Sequence, residues 1–302
     1  MEMPVFPYRG RFAPSPSGPL HLGSMLVAFV SWLRARQAGG RWLVRIEDVD
    51  RPRERPGAAL GQLATLAAFG LLSDEPIRYQ SRCDALYQQA LAPLLHQGQA
   101  FACHCSRREL AAQHGIHRYC VSKHIRIQSA IRLRVNEDND IAFDDLLQGH
   151  VAQNLAREVG DFVLRRADGC WAYQWAVVVD DADQGISEVV RGADLLASTP
   201  RQIHLQRALR RPSPAYLHLP LLLDGRGLKL SKSLDALPVN PYNPLPVLRG
   251  LWQILGQNTA ELDSCLSVAE LLHRAVAAFQ IERVPRQSIP VDSTLFASNH
   301  LA

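Results

Sequence analysis

Apolar and polar positions change period several times along the chain, and those changes mark out its elements. Near the N-terminus, YRGRFAPSPSGPLHLGS passes from a short strand candidate into a loop of Pro, Gly and Ser, and MLVAFVSWLRARQ then has the apolar spacing of a helix. GGRWLVRIED follows as an apolar strand ending in Glu47 and Asp48, and GAALGQLATLAAFGLL carries the i, i+3, i+4 pattern of an amphipathic helix. Strands alternating with helices predict an α/β fold with a parallel sheet. A further helix is predicted from about Cys83 to Gln97. Residues 100–155 break the rhythm: they are rich in His, Cys and Arg, and AIRLRV reads as a strand and not a crossover helix, which predicts an inserted subdomain. The α/β pattern returns with DFVLRR, WAYQWAVVVDDADQGISEVVRGADLL, a helix at TPRQIHLQRAL and a strand at YLHLPLLLD. The loop GRGLKLSKS comes next, then LPVNPYNPLPV with its four prolines, then two helix candidates, LRGLWQILG and SVAELLHRAVAAFQ. The predicted divisions are 1–99, the insertion at 100–155, the resumed α/β unit at 156–237, and a short, mostly helical region at 238–302.

Composition narrows the class. A chain of 302 residues with 47% hydrophobic content can bury a large core, which excludes disorder throughout. No apolar run approaches the roughly 20 residues that cross a bilayer, and the opening segment has no leader pattern, so no membrane association and a cytoplasmic location are expected. The formal charge is only +4, yet of 33 basic residues three are lysine, Lys123, Lys229 and Lys232, against 30 arginines. Six cysteines, at 83, 103, 105, 120, 170 and 265, are too sparse for a disulfide scaffold, but three of them fall within 18 residues.

Three constellations carry chemistry. In RFAPSPSGPLHLGS, Ser17, Gly18 and Gly23 let backbone approach a ligand while His21 and Ser24 stand at a helix start, where an anion can rest. Neither GKS nor GKT closes this loop and it lacks GxGxxG, so it is neither a P-loop nor a dinucleotide fingerprint. In KLSKS, Lys229 and Lys232 offer mobile point charges to phosphate, where arginine would offer a fixed fork. In CHCSRRELAAQHGIHRYCVSKH, Cys103 and Cys105 can clamp one metal ion, and Cys120 can close on it.

Together, PSPSGPLHLGS and KLSKS resemble the two ATP signatures of class I aminoacyl-tRNA synthetases. RIEDVDRPRERPGA, YQSR and YQWAVVVDDADQGISEVVRGADLLASTPRQIHL narrow the resemblance to the glutamyl branch over about residues 9–233. The resemblance implies a Rossmann-like catalytic core, divided by the insertion, in a monomeric ligase. It implies glutamate contacts at Arg11, Ser15, Glu47, Tyr173 and Arg191, with Glu47 taking the ammonium and Arg191 the side-chain carboxylate. It implies ATP contacts at His21, Gly23, Ser24 and Lys232, with His21, Lys229 and Lys232 balancing charge on the transferring phosphoryl group and Mg2+ arriving with ATP. Ser24 stands where the wider class often has a second histidine. Because only 69 residues follow KLSKS, the expected member is a shortened relative that activates L-glutamate and esterifies it to queuosine in the anticodon loop of tRNA(Asp). The other readings are glutamate charging of a tRNA acceptor end and a non-catalytic RNA-binding descendant.

The resemblance also implies structural zinc on C-x-C, a later tyrosine and a cysteine four residues beyond it. Here Lys123 occupies that last position, and Cys120 directly follows Tyr119. Cys103, Cys105, Tyr119 and Cys120 are therefore the expected ligands, with His117 the alternative fourth donor or the site decayed.

Overall fold

The computed structural model describes residues 7–136, 140–230 and 238–291. Strand β1 (Arg9–Phe12) runs into the Pro/Gly/Ser loop, and helix α1 (Leu22–Gln37) returns the chain to β2 (Arg41–Ile46), which pairs with β1 in parallel from Arg9↔Arg41 to Phe12↔Val44. His21 caps α1: its Nδ1 accepts the Ser24 backbone N–H at 3.3 Å, so the helix begins earlier than its apolar spacing alone predicts. The turn into β2 requires Gly40, since a Cβ there would lie 2.3 Å from the Tyr8 carbonyl oxygen.

Helix α2 (Ala58–Ala68) leads to β3 (Arg78–Tyr79), which extends the parallel sheet beside β2, and α3 (Asp84–His96) follows. The chain then leaves the parallel sheet. Strand β4 (Ala100–Cys103), the short helix α4 (Arg107–Leu110) and β5 (Ala130–Leu133) precede a hairpin of β6 (Asp140–Asp145) and β7 (Gly149–Asn154). A single turn, α5 (Leu155–Glu158), connects to β8 (Phe162–Arg165). The order β4-β5-β8 is antiparallel throughout. DFVLRR, read from its apolar content as a return to the α/β unit, therefore closes the inserted sheet, which runs past residue 155.

The parallel layer resumes with α6 (Tyr173–Asp183), β9 (Glu188–Gly192), α7 (Thr199–Ala208) and β10 (Ala215–Leu219). Strands β9 and β10 pair in parallel, and β9 lies beside β1, where the Ser187 N–H donates to the Arg9 carbonyl at 2.9 Å. The Rossmann-like sheet thus has its two halves joined at β1 and β9. Strand β11 (Leu222–Leu223) precedes α8 (Pro244–Ile254) and α9 (Val268–Ala278), and β12 (Ile289–Pro290) comes back to pair with β11. Leu248, Leu251 and Trp252 of α8 and Leu271 and Ala275 of α9 share one core with Met25, Phe29 and Leu33 of α1. The C-terminal helices bury their apolar faces against the parallel α/β layer instead of forming a core of their own.

Candidate active site and metal cluster

A cavity of about 740 Å³ opens at the carboxyl ends of β1, β2 and β9, where open α/β sheets bind ligands. Arg11, Ser15, His21, Gly23, Ser24, Glu47, Tyr173, Arg191 and Lys229 all line it. Lys232 lies outside the described residues.

The loop carrying Ser15 is tied down from beneath. Gln62 Nε2 donates to the Ser15 and Gly18 carbonyls at 3.0 and 2.7 Å, and the Glu47 N–H donates to the Pro14 carbonyl at 2.9 Å. Under the floor lies a buried ionic network. Arg45 is fully buried and faces Asp181 at 2.7 Å, Glu47 at 3.3 Å and Asp180 at 3.9 Å. Arg11 meets Asp181 with a two-pronged contact, Nε at 3.1 Å and Nη2 at 3.4 Å. Burial alone would raise the Asp181 carboxyl, but Arg11 and Arg45 outweigh it and hold the group below its ordinary range. Glu47 goes the other way, since burial raises it more than Arg45 and Arg11 lower it. The cavity floor therefore holds one firmly ionised carboxylate under one carboxylate that gains from a bound cation.

Arg191 is 4% exposed and held at each of its three nitrogens. Its Nε donates to His218 Nε2 at 2.9 Å, Nη1 to Gln202 Oε1 at 2.7 Å and Nη2 to Thr199 Oγ1 at 2.8 Å, which leaves one N–H on each terminal nitrogen. On the cavity wall that also carries His21, Lys229 is paired with the exposed Asp194 at 2.6 Å. Burial, helped by the Lys229 charge and opposed by Asp194, lowers the His21 imidazole pKa, so the ring is neutral near pH 7. Gly23 keeps the helix start clear, because a Cβ there would sit 3.1 Å from the His21 ring.

Asp181, Asp194, Thr199 and Gln202 lie inside the string that carries the family resemblance, but nothing in it assigned them a role, and His218 lies outside every motif. A faint signal existed for Asp181: VVVDDAD puts carboxylates on an otherwise apolar, buried helix face.

The inserted layer holds the second cluster. Ligand atoms of Cys103, Cys105, His117 and Cys120 all lie within 4.8 Å of one another. His117 Nε2 is 3.4 Å from Cys103 Sγ and 3.6 Å from Cys120 Sγ, while Nδ1 meets Asp161 Oδ2 at 2.9 Å. A carboxylate behind a histidine fixes the ring with its other nitrogen toward the metal position. The Val121 N–H donates to Cys105 Sγ at 3.2 Å, which suits a thiolate. Three thiolates and an imidazole fit one tetrahedral ion. Tyr119, expected as a ligand, is 64% exposed, and buried His117 completes the group instead. Gly160 makes this possible: it has φ +66°, and a Cβ there would lie 2.3 Å from the His117 carbonyl oxygen.

The model of the class I tRNA synthetases (E and Q), catalytic domain, matches residues 8–273. The chain belongs to this family. Among curated family members, the glutamyl-Q tRNA(Asp) synthetase of Xanthomonas campestris pv. campestris is 60% identical over 284 residues, 94% of this chain and 95% of that protein. The protein of the same name from Burkholderia mallei is 51% identical, over 90% of this chain and 96% of its own. Among solved structures, a glutamate tRNA ligase from Elizabethkingia meningosepticum, crystallised with its amino acid, superposes with a TM-score of 0.81 at 24% identity, covering 96% of this chain and 68% of that one. At that identity the superposition speaks for the class I fold alone. Among the described residues no helix is long and apolar enough to cross a membrane.

Proposed function

We propose that the chain activates glutamate with ATP and transfers it to queuosine in the anticodon loop of tRNA(Asp). The observation that carries this reading is the convergence of Arg11, Glu47 and Arg191 on one cavity that also holds His21 and Lys229. The name shared by relatives 51–60% identical over nearly their whole length supports the choice of acceptor.

Glutamate bears one cation and two anions, and the cavity offers the complement. Glu47 takes the ammonium, with Ser15 and Tyr173 as polar contacts beside it. The free N–H groups of Arg191 take the side-chain carboxylate, which distinguishes glutamate from uncharged glutamine. Arg11, braced by Asp181, adds positive potential on the same side. ATP lies against His21, Gly23 and Ser24, and Lys229 and Lys232 bring movable charge to its phosphates. The glutamate α-carboxylate attacks the α-phosphorus, the bond from that phosphorus to the bridging oxygen breaks, and pyrophosphate leaves. A queuosine hydroxyl then attacks the adenylate carbonyl carbon, the ester forms, AMP departs and the hydroxyl proton is released. No protein nucleophile takes part. Neutral His21 and the lysines stabilise the phosphoryl oxygens as charge shifts.

ATP is expected to bring Mg2+, which offsets phosphate charge when bound. Cys103, Cys105, His117 and Cys120 would hold Zn2+ as a structural ion, since four protein donors leave no open position for chemistry. The test is charging with labelled glutamate on queuosine-containing tRNA(Asp), unmodified tRNA(Asp) and tRNA(Glu). Label is expected on the first alone. Label on tRNA(Glu) and none on modified tRNA(Asp) overturns the proposal.

A further inference from the structure

Behind Arg191 stands a pair of side chains that never reaches the cavity. His218 of β10 and Asp145 at the end of β6 each have a side chain 0% exposed, with His218 Nδ1 2.6 Å from Asp145 Oδ2. The other carboxylate oxygen is already committed, since Asp145 Oδ1 accepts the backbone N–H groups of Leu147, Gln148 and His218 at 3.0, 2.9 and 3.2 Å. Asp145 therefore presents an acceptor to the imidazole, and Nδ1 must carry the proton.

The same conclusion follows from the other side of the ring. A guanidinium only donates, so His218 Nε2, 2.9 Å from Arg191 Nε, must offer a lone pair. A ring protonated on both nitrogens would set a donor and a positive charge against Arg191, and burial keeps the ring neutral. Both neighbours thus select a single tautomer. Gln202 turns Oε1 toward Arg191 even though its Nε2 is buried with no partner among the described residues, so the guanidinium dictates the orientations around it.

We propose that Asp145 and His218 are positioning residues for Arg191: the carboxylate fixes the imidazole tautomer, and the imidazole holds the guanidinium with its free N–H groups toward the glutamate side chain. This rests on the reading of Arg191 as the glutamate contact. It also gives the inserted layer a part in amino-acid recognition, because Asp145 belongs to the hairpin between β5 and β8 and reaches His218 across 73 residues of chain.

Asp145→Asn is the decisive variant. The amide that replaces the carboxylate keeps an oxygen for the three backbone N–H groups and nearly the same shape, but turns a donating NH2 toward His218 Nδ1. The imidazole must then shift its proton to Nε2, which sets N–H against N–H at Arg191. In ATP–pyrophosphate exchange the glutamate KM is expected to rise about tenfold, with kcat and the ATP KM changed less than about threefold, because the lost contact serves substrate binding more than the phosphoryl step. His218→Gln keeps an acceptor near Arg191 Nε without a tautomer to choose, so its KM is expected to rise only about threefold, and Asp145→Asn added to it should cost little more. Ring-nitrogen NMR of the wild-type protein is expected to show His218 protonated at Nδ1, and at Nε2 in Asp145→Asn.

An unchanged glutamate KM in Asp145→Asn with normal wild-type exchange overturns the positioning role alone. Multiplying penalties in the double variant do the same, since they describe loosening of the hairpin and not tautomer control. Absence of glutamate-dependent exchange in the wild-type protein, with the His218 tautomer as described, removes the functional reading beneath the proposal and overturns both.

Discussion

The two ends of the cavity are built on opposite principles. Where glutamate is proposed to bind, Arg191 is nearly sealed and every nitrogen has a protein partner, and Arg11 lies clamped on Asp181 above a fully buried Arg45. Where ATP is proposed to lie, Lys229, with 31% of its side chain exposed, pairs with an aspartate that is itself exposed. A small substrate that must be told from near neighbours rewards a preset fork, since the protein's ordering cost is met when it folds. A phosphoryl group whose charge shifts during reaction is served by an ammonium on a flexible stem. The chain has 30 arginines and three lysines, two of them in KLSKS, and follows that division.

The largest effect should come from breaking the rigid end. Arg191→Ala is expected to lower kcat/KM for glutamate about 10²–10³-fold in ATP–pyrophosphate exchange, mostly through KM, because it removes a buried charge anchored by three hydrogen bonds together with the two free N–H groups proposed to meet the substrate carboxylate. Arg191→Lys should recover little, as an ammonium cannot occupy the three protein contacts and still offer a fork. A loss confined to kcat would show that the rigid end acts on the chemical step and would erase the contrast.

Next comes the metal cluster, which is rigid for a different reason. Asp161→Asn is expected to weaken metal affinity about 10–100-fold, measured by chelator competition, because it removes the carboxylate behind His117. Cys103→Ser should cut the metal content and lower Tm, whereas Tyr119→Phe should change neither. Equal loss with Tyr119→Phe would restore the tyrosine as a ligand.

Lys229→Ala tests the mobile end. Adenylate formation is expected to slow about 10–100-fold with the glutamate KM nearly unchanged. Equal loss of rate and of glutamate binding would mean that the two ends are not separable.

How legible these two ends were in the sequence follows the same division. Ser15, His21, Gly23, Ser24 and Glu47 lie in local strings whose turns and caps depend on neighbours a few residues away, and their places after the strands and at the start of α1 could be read directly. What braces the glutamate end could not. Asp181 reaches Arg11 across 170 residues and Asp145 reaches His218 across 73, and no periodicity encodes which buried polar groups will meet. DFVLRR misleads because a short apolar strand reads alike in parallel and antiparallel sheets. His117 displaces Tyr119 because ligand spacing counts residues, while the side chain's direction depends on the Gly160 contact that only the fold creates.

Glu47 sharpens the comparison with the smallest effect and an inverted sign. It sits with 8% of its side chain exposed at the end of β2, and burial holds its pKa above the ordinary value despite Arg45. A carboxyl with a raised folded-state pKa binds its proton more tightly in the folded protein than in the unfolded chain. Folding stability therefore falls as pH rises from the unfolded value toward the folded one, and above the folded value the full cost of keeping Glu47 ionised is present. Asp181 has the opposite sign: its depressed pKa adds stability at neutral pH, which is lost as pH falls through the folded value. Glu47→Gln is thus expected to stabilise the free protein modestly once the wild-type group is ionised, read as a higher denaturant midpoint. The gain should shrink as pH is lowered toward the carboxyl range, where the wild-type group takes up its proton. Glutamate should in turn stabilise wild-type protein more than the variant, because the substrate ammonium supplies the charge that the buried carboxylate lacks. A variant less stable than wild type at pH 7 would show that Arg45 already satisfies Glu47, and that the rigid end holds no strain for substrate to relieve.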